Sequence, residues 1–140
     1  MEKVVVDIEL LNSYDDESCQ KGVLRPDQVR RITIPALVDK GATLLSIPED
    51  DIKKMGLSVV KEVNSRFANG QTAIRKVYGP VKIKLMGRVD VVLALAGHPG
   101  LPALLGQIPL EGLDLMVDSK RQRLIPGHPD YPDSQLVEVY

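Results

Sequence analysis

The sequence predicts an all-β domain, mainly strands with one or two short helices, and three observations carry that expectation. Apolar and polar residues alternate in short runs, the signature of half-buried strands. The runs are punctuated by 11 Gly and 10 Pro, which supply turns. A chain of 140 residues has length for one domain and little more. The domain is assigned to residues 1–127, and 128–140 to a proline-rich tail with a possible terminal strand.

In chain order, Val4, Val6, Ile8 and Leu10 share one face of the first strand, with Asp7 and Glu9 on the other. Ser13 to Gln28 is polar and reads as a surface loop ending in a Pro26-Asp27 turn. Alternation resumes at Val29, Ile32 and Ile34 and passes through Ala36-Leu37-Val38 into Asp39-Lys40-Gly41-Ala42. An acidic residue directly after an apolar run and before glycine is unusual for a plain strand end. A helix is predicted over Pro48 to Met55: proline suits its first turn, Glu49, Asp50 and Asp51 oppose the positive end of its dipole, and Lys53 and Lys54 sit near the negative end. Gly56 ends it.

Asn69-Gly70 between alternating segments predicts a projecting hairpin near residues 63–77. A second hairpin is expected around Gly87, with Val81, Ile83 and Leu85 forming an apolar layer together with Val89, Val91 and Leu93. Pro99, Gly100 and Pro102 break the chain before Ala103-Leu104-Leu105-Gly106, a run apolar enough to be buried. Pro109 to Gly112 suggests a helical turn, and Leu113 to Val117 with Arg123 to Ile125 a final hairpin. Leu136 to Tyr140 is the candidate terminal strand.

Composition narrows the function. Lys plus Arg (18) nearly balances Asp plus Glu (19), so no electrostatic reason exists to bind nucleic acid or anionic lipid. The longest apolar run, Val91 to Ala96, is strand-sized, far short of the roughly 20 residues of a membrane span. Asp7 and Glu9 interrupt any secretory h-region, so a cytoplasmic location is expected. One cysteine, Cys19, and two histidines, His98 and His128, cannot furnish a disulfide or a zinc cluster, and no metal or cofactor is expected. Cys19 stands among Asp15, Asp16 and Glu17, without the electropositive setting that activates a thiolate. His98 reads as a loop residue, and Arg30-Arg31 and Lys120 to Arg123 as solvated strand faces.

Three features then coincide: the acidic loop Asp39-Lys40-Gly41-Ala42 after an apolar strand, a glycine-tipped hairpin about 30 residues later, and the apolar-apolar-Gly run Leu104-Leu105-Gly106. In this order and spacing they resemble the retropepsin-like aspartic proteases, from about Val29 to Ile125. The likeness is strongest to small prokaryotic members, at Leu37-Val38-Asp39, Gly41-Ala42-Thr43, Tyr78-Gly79-Pro80-Val81 and Leu104 to Leu110. The resemblance implies a single-lobe acid protease barrel. It implies Asp39 as the catalytic residue, Lys40, Gly41 and Ala42 as the active-site loop, Ala68, Asn69, Gly70 and Gln71 as a flap over an extended peptide or protein substrate, and Leu104, Leu105 and Gly106 as the brace of the catalytic loop.

The chemistry needs water held between two carboxylates, one acting as base and the other as acid. This chain has one Asp-x-Gly-Ala, so the second aspartate is expected from an identical chain across a two-fold axis, making a homodimer. Lys40 departs from the family pattern of Thr or Ser. Lysine has three donors and no acceptor, so it cannot replace a hydroxyl that both accepts and donates. Two ammonium groups about 6 Å apart across the axis would repel by roughly 3 kcal/mol unless their stems swing away. If they approached the aspartates instead, both carboxyl pKa values would fall and the shared proton would be lost. Two functions are therefore carried forward: an aspartic endopeptidase, and a catalytically impaired binding or assembly module of the same fold.

Overall fold

The structure, a computed structural model, describes residues 3–98 and 100–139. Pro99 and Tyr140, each part of an expectation above, lie outside the described residues. The strands are β1 (Val5–Asn12), β2 (Arg31–Val38), β3 (Leu45–Ile47), β4 (Ser58–Arg66), β5 (Thr72–Leu85), β6 (Arg88–Ala96), β7 (Ala103–Leu105), β8 (Leu115–Asp118) and β9 (Arg123–Pro126). The helices are α1 (Ser13–Gln20), α2 (Glu49–Lys54) and α3 (Gln107–Gly112). None of the described helices is long and apolar enough to cross a membrane.

The main sheet runs β1-β2-β7-β3-β6-β5-β4, and an added β1–β5 pairing closes six of these strands into a barrel. The alternation seen in the sequence explains the closure, because each strand sends one face inward. Ile8 and Leu10 of β1, Val81 and Ile83 of β5, Leu45 and Ile47 of β3 and Leu105 of β7 are fully buried. Burying each such side chain stabilises by about 1.5–3 kcal/mol. Ile52 and Met55, at the end of α2, plug the same core. β4 stays outside the barrel: it pairs only with the first half of β5 and is mostly exposed. The hairpin β4–β5 is thus an arm. It leaves the barrel at Gly79-Pro80, where the β5–β6 register shifts between Tyr78 and Val81.

Two expectations are corrected. Residues 13–20 form a helix, not a loop: the Asn12 side chain accepts from the Asp15 amide at 3.1 Å and donates to the Met55 carbonyl at 2.9 Å, capping α1 and tying it to α2. Asp15 is buried and accepts from Arg30 Nε at 2.8 Å, a charge-assisted bond that lowers its pKa. The second correction concerns β6. The two-residue turn Met86-Gly87, both residues at positive φ, places Leu85 opposite Arg88 and hence Ile83 opposite Asp90. Val89 and Val91 fall on the face of Lys84 and Lys82 and are exposed, while Val92 and Ala94 face the core. A shift of one residue in the expected pairing accounts for the whole difference.

The tail is the segment expected to carry a possible terminal strand. Residues 135–139 form no strand with the described chain. The tail packs back on the barrel instead. Arg88, fully buried, donates to the carbonyls of Tyr131 and Pro132, both at 2.9 Å, and Gln135 Nε2 donates to the Val89 carbonyl. Asp114 accepts from the Leu136 amide at 3.0 Å and meets His128 Nδ1 at 2.9 Å.

This last pair makes tail docking depend on pH. The hydrogen bond with His128 holds the Asp114 carboxyl below its usual range, and the same bond raises His128, with Glu138 adding to the field. Asp114 therefore contributes stability that is lost as pH falls through its depressed pKa. His128 contributes stability that is lost as pH rises through its raised pKa. Docking is expected to be tightest between the two values. Proteolytic susceptibility of residues 128–139, followed against pH, should pass through a minimum there; a monotonic profile would contradict the assignment.

Candidate active site

Asp39 follows directly on β2, at the point where β2 leaves its parallel partner β7. Its amide donates to the Leu105 carbonyl at 3.0 Å, so the end of β7 fixes where the loop begins. The loop is folded tightly on its own side chain: Gly41 N donates to Asp39 Oδ1 at 2.9 Å, and Ala42 N to the Asp39 carbonyl at 3.1 Å. Gln107 N and Ile108 N, at the start of α3, donate to the carbonyls of Ala42 and Thr43 at 2.8 and 2.9 Å. The loop is thus clamped from below by main-chain bonds. Gly106 permits the clamp, because a Cβ there would lie 2.5 Å from the Leu44 carbonyl oxygen and 2.7 Å from that of Ala42.

Beside this loop runs a groove of about 560 Å3, floored by Gly41, Ala42 and Leu104 and walled by residues 63–67 and Arg75 of the β4–β5 arm. Asp39 stands half-buried at its margin. The sequence placed the flap contacts at Ala68 to Gln71. In the structure those four residues are the exposed tip of the arm, turned by Gly70 at φ +83° and closed by the Phe67 amide donating to the Gln71 carbonyl at 2.8 Å. The groove is lined by the arm's shaft instead, and Arg75, Arg66 and Phe67 are residues the sequence reading missed. Alternation along β4 could have pointed to Val63, Ser65 and Phe67 as one face.

Lys40 is exposed and turned to the other side of the loop, into a separate hollow with Gln107, Leu110 and Met116. It makes no ion pair with Asp39. Its stem swings away from the carboxylate. Among the described residues no group of three or more His, Cys, Asp or Glu could hold a metal ion.

A family profile described as aspartyl protease matches residues 28–107, more than half of the chain, from just before β2 to the first residue of α3. No curated protein matches significantly in sequence. Among solved structures, the chain is similar to a retroviral protease-like domain from Leishmania major, at 14% identity, TM-score 0.53, and coverage of 90% of this chain and 89% of that one. It is also similar to the simian foamy virus (mac) protease, at 20% identity, TM-score 0.46, and coverage of 76% and 92%. A retropepsin-like aspartic protease from Rickettsia conorii gives 18% identity, TM-score 0.45, and coverage of 84% and 89%. The first of these matches supports the single-lobe barrel as the fold.

Proposed function

Because the chain belongs to the aspartyl protease family, we propose that it is an endopeptidase working as a homodimer, in which Asp39 of each copy activates a shared water on a peptide carbonyl. The observation that carries this reading is the placement of Asp39. Asp39 lies on a loop clamped to the barrel and its carboxylate holds the amide of Gly41, which lines the groove. This placement supports the reading in which a second copy supplies the other carboxylate.

The mechanism needs few parts. Gly41 N–H, donating to Oδ1, fixes the carboxylate's orientation and leaves Oδ2 for water. Across the two-fold axis the two carboxyl groups face one water, one acting as acid and the other as base. The arm of each copy lays an extended peptide along the groove, where strand-like backbone bonds position the scissile amide. Lys40 turns from the aspartate, so the loss of the shared proton does not follow from its presence. The single free thiol, Cys19, suits a cytoplasmic setting. Cleavage of a diverse peptide library between about pH 4 and 7 tests the reading; a wild-type chain that cuts no member overturns it.

Lys40 also supports the second reading, a peptide-binding module of this fold that has lost catalysis. An exposed ammonium on this loop would add like charge to the interface of the proposed dimer, reduced by solvent and by the turn of its stem away from Asp39. Replacing Lys40 by Thr is expected to tighten dimerisation by about two- to fivefold, measured by sedimentation, and to raise activity per chain at low concentration. Unchanged association and activity would remove Lys40 from both accounts.

A further inference from the structure

One guanidinium faces the groove without a counter-ion among the described residues. Arg75 lies on β5 directly opposite Val63 of β4, so its side chain shares the face of Val63 and Ser65, and all three line the groove. Arg75 is half-buried there and has no hydrogen bond or ion pair with any described residue. Arg66, next along β4 from Ser65 and so on the opposite face, borders the groove as an exposed residue. No aspartate or glutamate is among the groove's described lining. Elsewhere in the chain, Arg30 and Lys82 hold Asp15 and Asp16 at 2.8 and 2.7 Å.

A partly desolvated guanidinium with no acceptor adds nothing to the stability of the arm. Its five donors match a carboxylate, which it can take in bidentate fashion. We propose that Arg75 selects peptides carrying an acidic side chain, Asp or Glu, within four residues of the bond that is cut. This specificity rests on the peptidase reading above. Its position follows from the groove: Arg75 lines the same hollow as Gly41 and Ala42 of the Asp39 loop, so a peptide lying there meets Arg75 within a few residues of the bond at Asp39.

The test uses peptides identical except for Glu, Gln or Lys at those positions. With the wild-type protein, kcat/KM for the Glu peptide is expected to exceed that for Gln by about tenfold, with Lys lower still. In Arg75→Gln the Glu-to-Gln ratio should collapse toward one, and in Arg75→Glu the preference should invert toward Lys. Cleavage without a Glu preference, or a preference that Arg75→Glu leaves unchanged, overturns the specificity and leaves the peptidase standing. If no peptide is cut, the peptidase reading fails separately, and fluorescence anisotropy of the same labelled peptides decides the specificity. About tenfold tighter binding of the Glu peptide, lost in Arg75→Gln, sustains it; equal binding, or none, overturns it.

Discussion

Asp39→Asn is expected to lower peptide cleavage by at least about 10³-fold while leaving the fold intact. Asparagine has nearly the volume of aspartate, and its side-chain oxygen can still accept the Gly41 amide that Oδ1 now holds at 2.9 Å. The change in stability should therefore stay within about 1 kcal/mol. Catalysis fares differently, because in the proposed homodimer the substitution removes base and acid together. Mixing sharpens the test. When a fixed amount of wild-type chain exchanges with an equal amount of the variant, about a quarter of all dimers are wild-type in both halves, and total activity falls to about half. An enzyme that works as a monomer would lose nothing. Full activity in the variant would remove Asp39 from the chemistry.

The parts of this site that were legible in the sequence are those fixed by local backbone demands. Asn69-Gly70 marks a turn because a glycine must supply positive φ there, and Gly70 does. Pro48, three acids and two lysines write out a helix with both ends labelled, and α2 spans Glu49–Lys54. Leu104-Leu105-Gly106 reads as buried because its apolar content has no polar face. What escaped depends on partners distant in sequence. α1 has no apolar stripe, so it is polar throughout apart from Tyr14 and Cys19 and is held by Asn12 and by the Asp15–Arg30 bond. Its one local sign was a cap, Asn12 with acids three and four residues on. The parity of β6 was set by a two-residue turn that the valine count could not reveal. Arg75 looked like any strand cation until the register put it across from Val63.

Gly106→Ala is the second large effect, and its reasoning separates space from conformation. Gly106 has φ −89° and ψ −171°, extended values that alanine adopts freely. The obstacle is room alone: the added carbon would meet the carbonyl oxygens of Leu44 and Ala42 at 2.5 and 2.7 Å, and both are main chain, which no rotamer change can clear. The Asp39 loop must lift away from β7 and α3, loosening the Gln107 and Ile108 amide bonds to Ala42 and Thr43. Overpacking together with these bonds is expected to cost about 2–4 kcal/mol. Gly22→Ala supplies the contrast. Gly22 has φ +79° with nothing within 4 Å of the added carbon, so only its backbone conformation is penalised, by about 1 kcal/mol. The two variants should also part in function. Gly22→Ala should cleave peptides as the wild type does, whereas Gly106→Ala, even below its unfolding midpoint, should lose about 10²-fold, since the displaced loop carries the carboxylate out of register with its twin. Denaturant midpoints and cleavage rates measured side by side decide it. If Gly106→Ala keeps full activity at reduced stability, the clamp beneath Asp39 serves the fold and not the chemistry.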